Sequence, residues 1–238
     1  MTKNQCFNIN NVHYRNFLPK NSFQHAKSFY ICTVDTKEEN IIAQVRQMYL
    51  KYGIKSVTMD DVARELGISK KTLYLYFKDK NDLVMKSMER QIAIDKASVT
   101  SIIDQQLNAI DELLEIAVNV ATTLKSIQPA VIFDIQKYYP QVWGLQTEYR
   151  QNFIVQTIID NINKGIEQGY YRPNLNPEII AKFFAVKLEN MFDDKVFPPS
   201  KFDLANVYME YIRYHLMGIC NQTGADYIVK NIFNIKQS

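Results

Sequence analysis

The sequence predicts an all-α protein, with a small three-helix unit ahead of a longer helical body. Three observations predict it. Apolar residues recur at helical spacing from Ile41 to Leu216. Gly and Pro number only 7 each, too few for the many turns of an all-β fold. No segment alternates apolar and polar residues as a half-buried strand does. With 238 residues, 47% of them hydrophobic, the chain can fill one large core or two small ones. Charged residues at 22% are those of an ordinary soluble globular protein.

Each element has its own signal. Ile41, Ile42, Val45, Met48 and Tyr49 share one helix face that ends near Gly53. Thr58 opens a second helix, with Asp61 three residues on as a capping box; its inward face is Met59, Val62, Ala63 and Leu66. Gly67 suits the left-handed residue that ends a helix. Ser69 caps a short third helix, Lys70 to Phe77, and Asp79 caps a fourth that buries Leu83, Val84, Met88 and Ile92. A long stripe follows from Leu107 to Leu124, broken at Gln128-Pro129 and again at Tyr139-Pro140. Phe153, Ile158, Ile159, Ile162 and Ile166 form the next stripe, which ends at Gly169. Asn176-Pro177 is an N-cap with Pro at the first helical position, and Pro198-Pro199 precedes a last long helix. About nine helices are expected, with domains at 35–96 and 97–238.

The stretch from Thr58 to Lys80 carries the chemistry. Two helices joined through Leu66-Gly67-Ile68-Ser69 have helix-turn-helix spacing, with Ala63 small enough for the crossing and Ile68 and Leu73 plugging the joint. Lys70, Lys71, Thr72, Tyr74 and Tyr76 then lie on the outer face. Such a face is costly as core and well suited to DNA: a helix fits the major groove with its N-terminal residues nearest the bases. The free N–H groups around Ser69–Lys71 favour phosphate. Lysine ammoniums reach phosphates or guanine acceptors, and the Thr and Tyr hydroxyls reach backbone or base. The bland alternatives are a purely capping Thr58, solvated lysines and a Tyr74 ring packed on the preceding helix. Two lysines at a helix start, where the dipole disfavours cations, argue for a DNA contact.

This stretch resembles the DNA-binding domain of the TetR/AcrR family of transcriptional regulators. The matching residues are Thr58, Val62-Ala63, Leu66-Gly67-Ile68-Ser69, Leu73-Tyr74, Phe77, Lys80 and Leu83, within about 50 residues from Glu38 to Met88. The resemblance implies a homodimer, an all-helical ligand-binding and dimerisation domain, and operator contacts from the second and third helices. Carried over by position, with the helix cap, the DNA-contacting set is Thr58, Ser69, Lys70, Lys71, Thr72, Tyr74, Tyr76 and Lys80. Two positions depart from it. Met59 stands where some members hold a polar base-reading residue, and Leu75 is apolar at an outward position.

The body is too apolar and aromatic for a linker. Its expected ligand pocket is lined by Tyr138, Tyr139, Trp143, Tyr149, Phe153, Phe183, Phe184 and Phe192, which would suit a small hydrophobic or amphipathic effector; the same aromatic stripes serve equally as core. The resemblance implies that helices near 177–195 and 203–222 pair with those of a second copy, and Val207, Tyr208, Tyr211, Ile212 and Leu216 form one side suited to it.

Charge and composition exclude other classes. Residues 1–34 hold four basic side chains and no acids, 35–96 hold 12 basic and 10 acidic, and 97–238 hold 12 and 15. A basic N-terminal third is compatible with a polyanion. Residues 1–34 show no period and read as a disordered basic arm, or as sequence upstream of a true start near Val34; the second is favoured. No apolar run is long enough to span a membrane, so no membrane partner is expected. Cys6, Cys32 and Cys220 form neither a disulfide framework nor a metal spacing, which suggests a reducing compartment, the cytoplasm. The isolated His13, His25 and His215, the absence of a phosphate loop or nucleophile elbow, and an Asp193-Asp194 pair beside Lys195 give little for an enzyme. No cofactor or metal is expected. The reading is a sequence-specific regulator, a repressor released from a palindromic operator by a small ligand. Its rivals are a constitutive regulator whose body only dimerises and, remotely, a helical enzyme.

Overall fold

The computed structural model describes residues 37–230, so the expectations for 1–34 lie outside the described residues. Eleven α-helices are found there: α1 (Lys37–Tyr52), α2 (Met59–Glu65), α3 (Lys70–Leu73), α4 (Lys80–Ile103), α5 (Ala109–Ser126), α6 (Pro129–Tyr138), α7 (Pro140–Tyr149), α8 (Val155–Glu167), α9 (Pro177–Asn190), α10 (Leu204–Ile219) and α11 (Gln222–Ile228). A π turn, Arg150–Ile154, joins α7 to α8. The count exceeds the expected nine by two, and the least announced helices are the short α6, α7 and α11, which lack a long apolar stripe. Among the described residues no single helix is long and apolar enough to cross a membrane.

Local chemistry sets the boundaries of the first unit. Thr58 and Asp61 form a reciprocal capping box, with the Asp61 N–H donating to Thr58 Oγ1 at 3.1 Å and the Thr58 N–H to Asp61 Oδ2 at 3.0 Å. Gly67 ends the α2 turn at φ +62°, a conformation that disfavours any residue with a Cβ. Ser69 Oγ accepts the Thr72 N–H at 3.0 Å and starts α3. The third helix is shorter than expected. α-Helix stops at Leu73, and the chain continues to Phe77 partly through tighter bonds three residues apart, Leu75 N–H to Thr72 O and Tyr76 N–H to Leu73 O.

Two main cores result. The first unit closes around Val45, Val62, Leu73, Phe77 and Leu83. Its cluster also takes Val131 and Ile135 from α6 and Val142 from α7. The second core gathers α5, α8, α9, α10 and α11 around Ile110, Leu113, Ile162, Phe184, Ile212 and Leu216. Helix α4 runs unbroken through residues 96 and 97, so the division falls between cores rather than at a linker. The axis turns by 85° between α5 and α6, which brings α6 back against the first unit.

The body's core contains a satisfied polar cluster. Asn161 donates to the Ala109 carbonyl and to Glu112 Oε1, both at 2.9 Å, and Lys164 pairs with Glu112 at 2.6 Å. Buried polar groups with full partners fix relative helix positions, here α5 against α8. Asp193, half of the acidic pair, is exposed and accepts the Lys195 N–H at 2.9 Å, a turn contact.

One expectation about the last long helix needs correction. Tyr208, Ile212 and Leu216 are buried in the chain's own core, and Val207 and Tyr211 pack against it. The most apolar stripe of α10 is therefore used inside the protomer. The apolar residues left exposed are Tyr214 and Met217 on α10 and Ile179, Phe183 and Val186 on α9.

Candidate nucleic-acid interface

The outer face of the first unit carries most of the expected residues. Tyr74 is 50% and Leu75 76% exposed, and Lys70, Lys71, Ser69 and Thr58 are exposed as well. Leu73 and Phe77, on the opposite side of the same short segment, have no exposure. The anchored residues hold the segment on the body while its neighbours project.

The remaining members of the set have internal partners. Thr72 is half-buried, and its hydroxyl lies 2.8 Å from Ser69 Oγ. Tyr76 is half-buried and packs on the core, so it is not a freely projecting side chain. Lys80 Nζ donates to the Lys55 carbonyl at 3.0 Å, and burial pulls its pKa down. Met59 is buried, which removes it from any base contact and explains its apolar character. Lys70 Nζ pairs with Asp60 at 2.5 Å on the surface.

The link between this face and the body runs through residues that sequence reasoning missed. The loop between α1 and α2 is fixed to α6, where the half-buried Lys55 N–H donates to the buried Asp134 Oδ2 at 2.7 Å. Lys55 Nζ donates to Tyr138 Oη at 3.0 Å, which holds that phenol below its usual pKa. Gln128 Nε2 donates to the Lys51 carbonyl at 3.1 Å. These contacts span about eighty positions, and no local pattern announces them.

The eight aromatic residues expected to line one pocket are distributed among several places. Tyr138 and Tyr139 border an open cleft of about 480 Å³ with Asp79, Asp82, Met85 and Val142, beside the first unit. Trp143 meets Phe192 edge-on at 6.5 Å. Tyr149 and Phe153 stack at 5.6 Å, with the Lys96 ammonium within 6 Å of both rings. Phe184 is core, packed on Tyr211 and His215, and its neighbour Phe183 is 61% exposed. Adjacent helical residues point about 100° apart, so these two cannot line one cavity.

Comparison with known proteins agrees with this geometry. Residues 41–85 match the profile described as bacterial regulatory proteins, tetR family. The chain is 22% identical over 191 residues to the uncharacterized HTH-type transcriptional regulator YvaF of Bacillus subtilis, covering 79% of this chain and 98% of YvaF. It is 22% identical to the HTH-type transcriptional repressor KstR2 of Mycobacterium tuberculosis, covering 63% of this chain and 76% of KstR2. A transcriptional regulator from Cytophaga hutchinsonii shares the fold at a TM-score of 0.67 and 19% identity, covering 79% of this chain and 100% of that one.

Proposed function

Because residues 41–85 match the tetR family of bacterial regulatory proteins, we propose that the chain is a repressor that leaves a palindromic operator when its body binds a small amphipathic effector. The observation that carries this reading is the shared core. Val131, Ile135 and Val142 of the body complete the cluster that holds the DNA-facing segment in place. A displacement of α6 or α7 therefore cannot leave that segment where it was, because packed cores shift between discrete arrangements rather than stretch.

On the DNA side, Lys70 and Lys71 contact phosphates, and Thr72 and Tyr74 approach the bases from the last turn of α3 and the residue after it. Leu75 is placed to meet a thymine methyl. Thr58 and Ser69 hold the two helix starts, and Lys80 and Tyr76 support the segment from behind. A homodimer sets two such segments about one DNA turn, roughly 34 Å, apart and joins two weak half-site contacts into one specific one. The dimer forms through Ile179, Phe183 and Val186 on α9 with Tyr214 and Met217 on α10, the apolar residues that these two helices leave exposed. KstR2, a relative, is named a repressor, which supports that sign of regulation.

Effector and operator then oppose each other reciprocally, since each favours a different arrangement of the same dimer. Selection of bound fragments from a random duplex pool yields an inverted repeat if the reading holds. Labelled operator titrated with protein, with and without small amphipathic molecules, then measures release. Recovery of no common repeat rejects the operator claim, and operator affinity unchanged by every molecule that binds the protein rejects the effector claim.

A further inference from the structure

Arg150 is 95% buried, in the π turn between α7 and α8. Its Nη2 donates to Thr147 Oγ1 at 3.0 Å, and its guanidinium lies over the Trp143 ring at 4.9 Å. Its Nε–H has no hydrogen-bond partner. Among the described residues no carboxylate forms an ion pair with it, and Glu189 on α9 acts only through its longer-range field. Buried charges are normally paired, because an unpaired one forfeits its hydration without recompense. The two buried carboxylates each have a partner close by. Glu112 has Lys164, and Asp134 has the Lys55 N–H. Arg150 thus stands out as a cation held in an aromatic wall with one donor unused.

We propose that Arg150 anchors the carboxylate of an amphipathic effector whose apolar body lies against Trp143 and Phe192. The proposal rests on the effector reading above and gives it a ligand class. A carboxylate fits better than a phosphate: one guanidinium supplies one positive charge, and Glu189 already offsets part of its field, which suits a monoanion. The Nε–H edge is closed over by its neighbours, so a carboxylate reaches it only as they part, and it then forms charge-assisted hydrogen bonds there. The position also suits control. Helix α7 carries Trp143 and, as its third residue, Val142, which belongs to the core of the DNA-facing unit. Gln146 on the same helix contacts Met88 Sδ of α4 at 2.6 Å. A ligand that draws Arg150 toward its carboxylate pulls on the helix that completes that core.

The chain's one tryptophan is Trp143, so its emission reports this site directly. The full-length protein is titrated with octanoate and 3-phenylpropanoate, each against its uncharged amide. The acids are expected to change the emission saturably, with their amides binding about tenfold more weakly. Arg150→Gln and Arg150→Met are expected to bring acid affinity down to that of the amide, and Arg150→Lys to keep part of the preference. Circular dichroism confirms that each variant is folded. Equal binding of acid and amide, an acid preference that survives both Arg150→Gln and Arg150→Met, or no saturable response to either acid at millimolar concentration overturns the proposal. Repeating the titration on operator-bound protein separates the two readings. Acids that bind through Arg150 without releasing DNA sink the effector reading and leave the site. Release by uncharged molecules, indifferent to Arg150, does the reverse.

Discussion

The carboxylate of Asp134 on α6 accepts the backbone N–H of Lys55 at 2.7 Å, while the carbonyl of the same Lys55 accepts the Lys80 ammonium at 3.0 Å. Both backbone polar groups of one loop residue are thereby fixed, one by the body and one by α4. Asp134→Ala leaves a half-buried N–H unpaired and removes a negative charge that acts on both Lys55 and Lys80. The expected cost is about 1.5–3 kcal/mol of stability, the range for a hydrogen bond to a charged group. Urea unfolding measures it. Operator titrations on the same variant should show a narrower difference between effector-free and effector-bound protein than in the parent, because the tie between α6 and the loop is gone.

Lys70 and Asp60 form a different kind of pair. At 2.5 Å, with each side chain 57% exposed, it is a surface ion pair worth roughly 0–1 kcal/mol. Phosphate can therefore displace Asp60 with little loss. Asp60→Asn removes a negative charge from the DNA-facing side and frees the ammonium. Operator affinity should rise several-fold at low salt, by an amount that shrinks as salt screens it, with stability nearly unchanged. Lys70→Ala should weaken binding to every sequence and lower the salt slope by about one unit. Fluorescence anisotropy across a salt series reads both effects.

What could be read from the sequence was what is local. Thr58 with Asp61, Gly67 and Ser69 with Thr72 act within three or four positions, so their spacing announces the helix ends directly. Apolar periodicity also showed which stripe of α10 is covered. It could not show by what, and Tyr208, Ile212 and Leu216 proved to be covered by the protomer itself. Phe183 and Phe184 look equivalent in sequence, yet one faces solvent and the other the core. Asp134 and Arg150 carry no local signature, because their importance comes from what lies across the fold from them.

Gly165 shows the same limit and gives a sharp test. A Cβ at this position would lie 2.0 Å from the ring of the fully buried Tyr171, so no residue larger than glycine fits without moving that ring. Gly165→Ala is expected to lose on the order of 3 kcal/mol through overpacking, despite alanine's better helix propensity. The urea midpoint measures the loss. Tyr171→Leu combined with Gly165→Ala should recover part of it, since the clash disappears with the ring.

Two buried titrating groups should bend the stability profile in opposite directions below neutrality. Burial lowers the His215 pKa to about 4, with Lys187 adding to the effect. The unfolded chain therefore binds the proton more readily, and this group's stabilising contribution is lost as pH falls from about 6.5 toward 4. Burial raises the Asp95 carboxyl to about 6, only partly offset by Gln91 and Arg46. Here the folded chain binds the proton more readily, so stability is gained as pH falls from about 6 toward 4. Unfolding midpoints measured between pH 4 and 7 should lose acid sensitivity in His215→Leu. In Asp95→Asn stability should rise near neutrality by on the order of 1–2 kcal/mol, and the acid-side gain should be lost.

The proposed interface draws on apolar residues other than those that fill the protomer's core, so variants can test dimerisation apart from folding. Phe183 is 61% exposed on α9, Tyr214 and Met217 are exposed on α10, and none of these three is part of the protomer's buried core. Phe183→Glu is therefore expected to leave helix content and the unfolding midpoint of the monomer close to the parent's, while shifting sedimentation from dimer to monomer. Operator affinity should fall by about two orders of magnitude or more, since the two half-sites are then bound independently. Ile212→Ala should do the opposite, costing about 2–5 kcal/mol of stability through a core cavity with a smaller effect on association. An Ile212→Ala protein that dissociates while folding normally, or a Phe183→Glu protein that stays dimeric, would return the interface to the stripe that α10 turns inward.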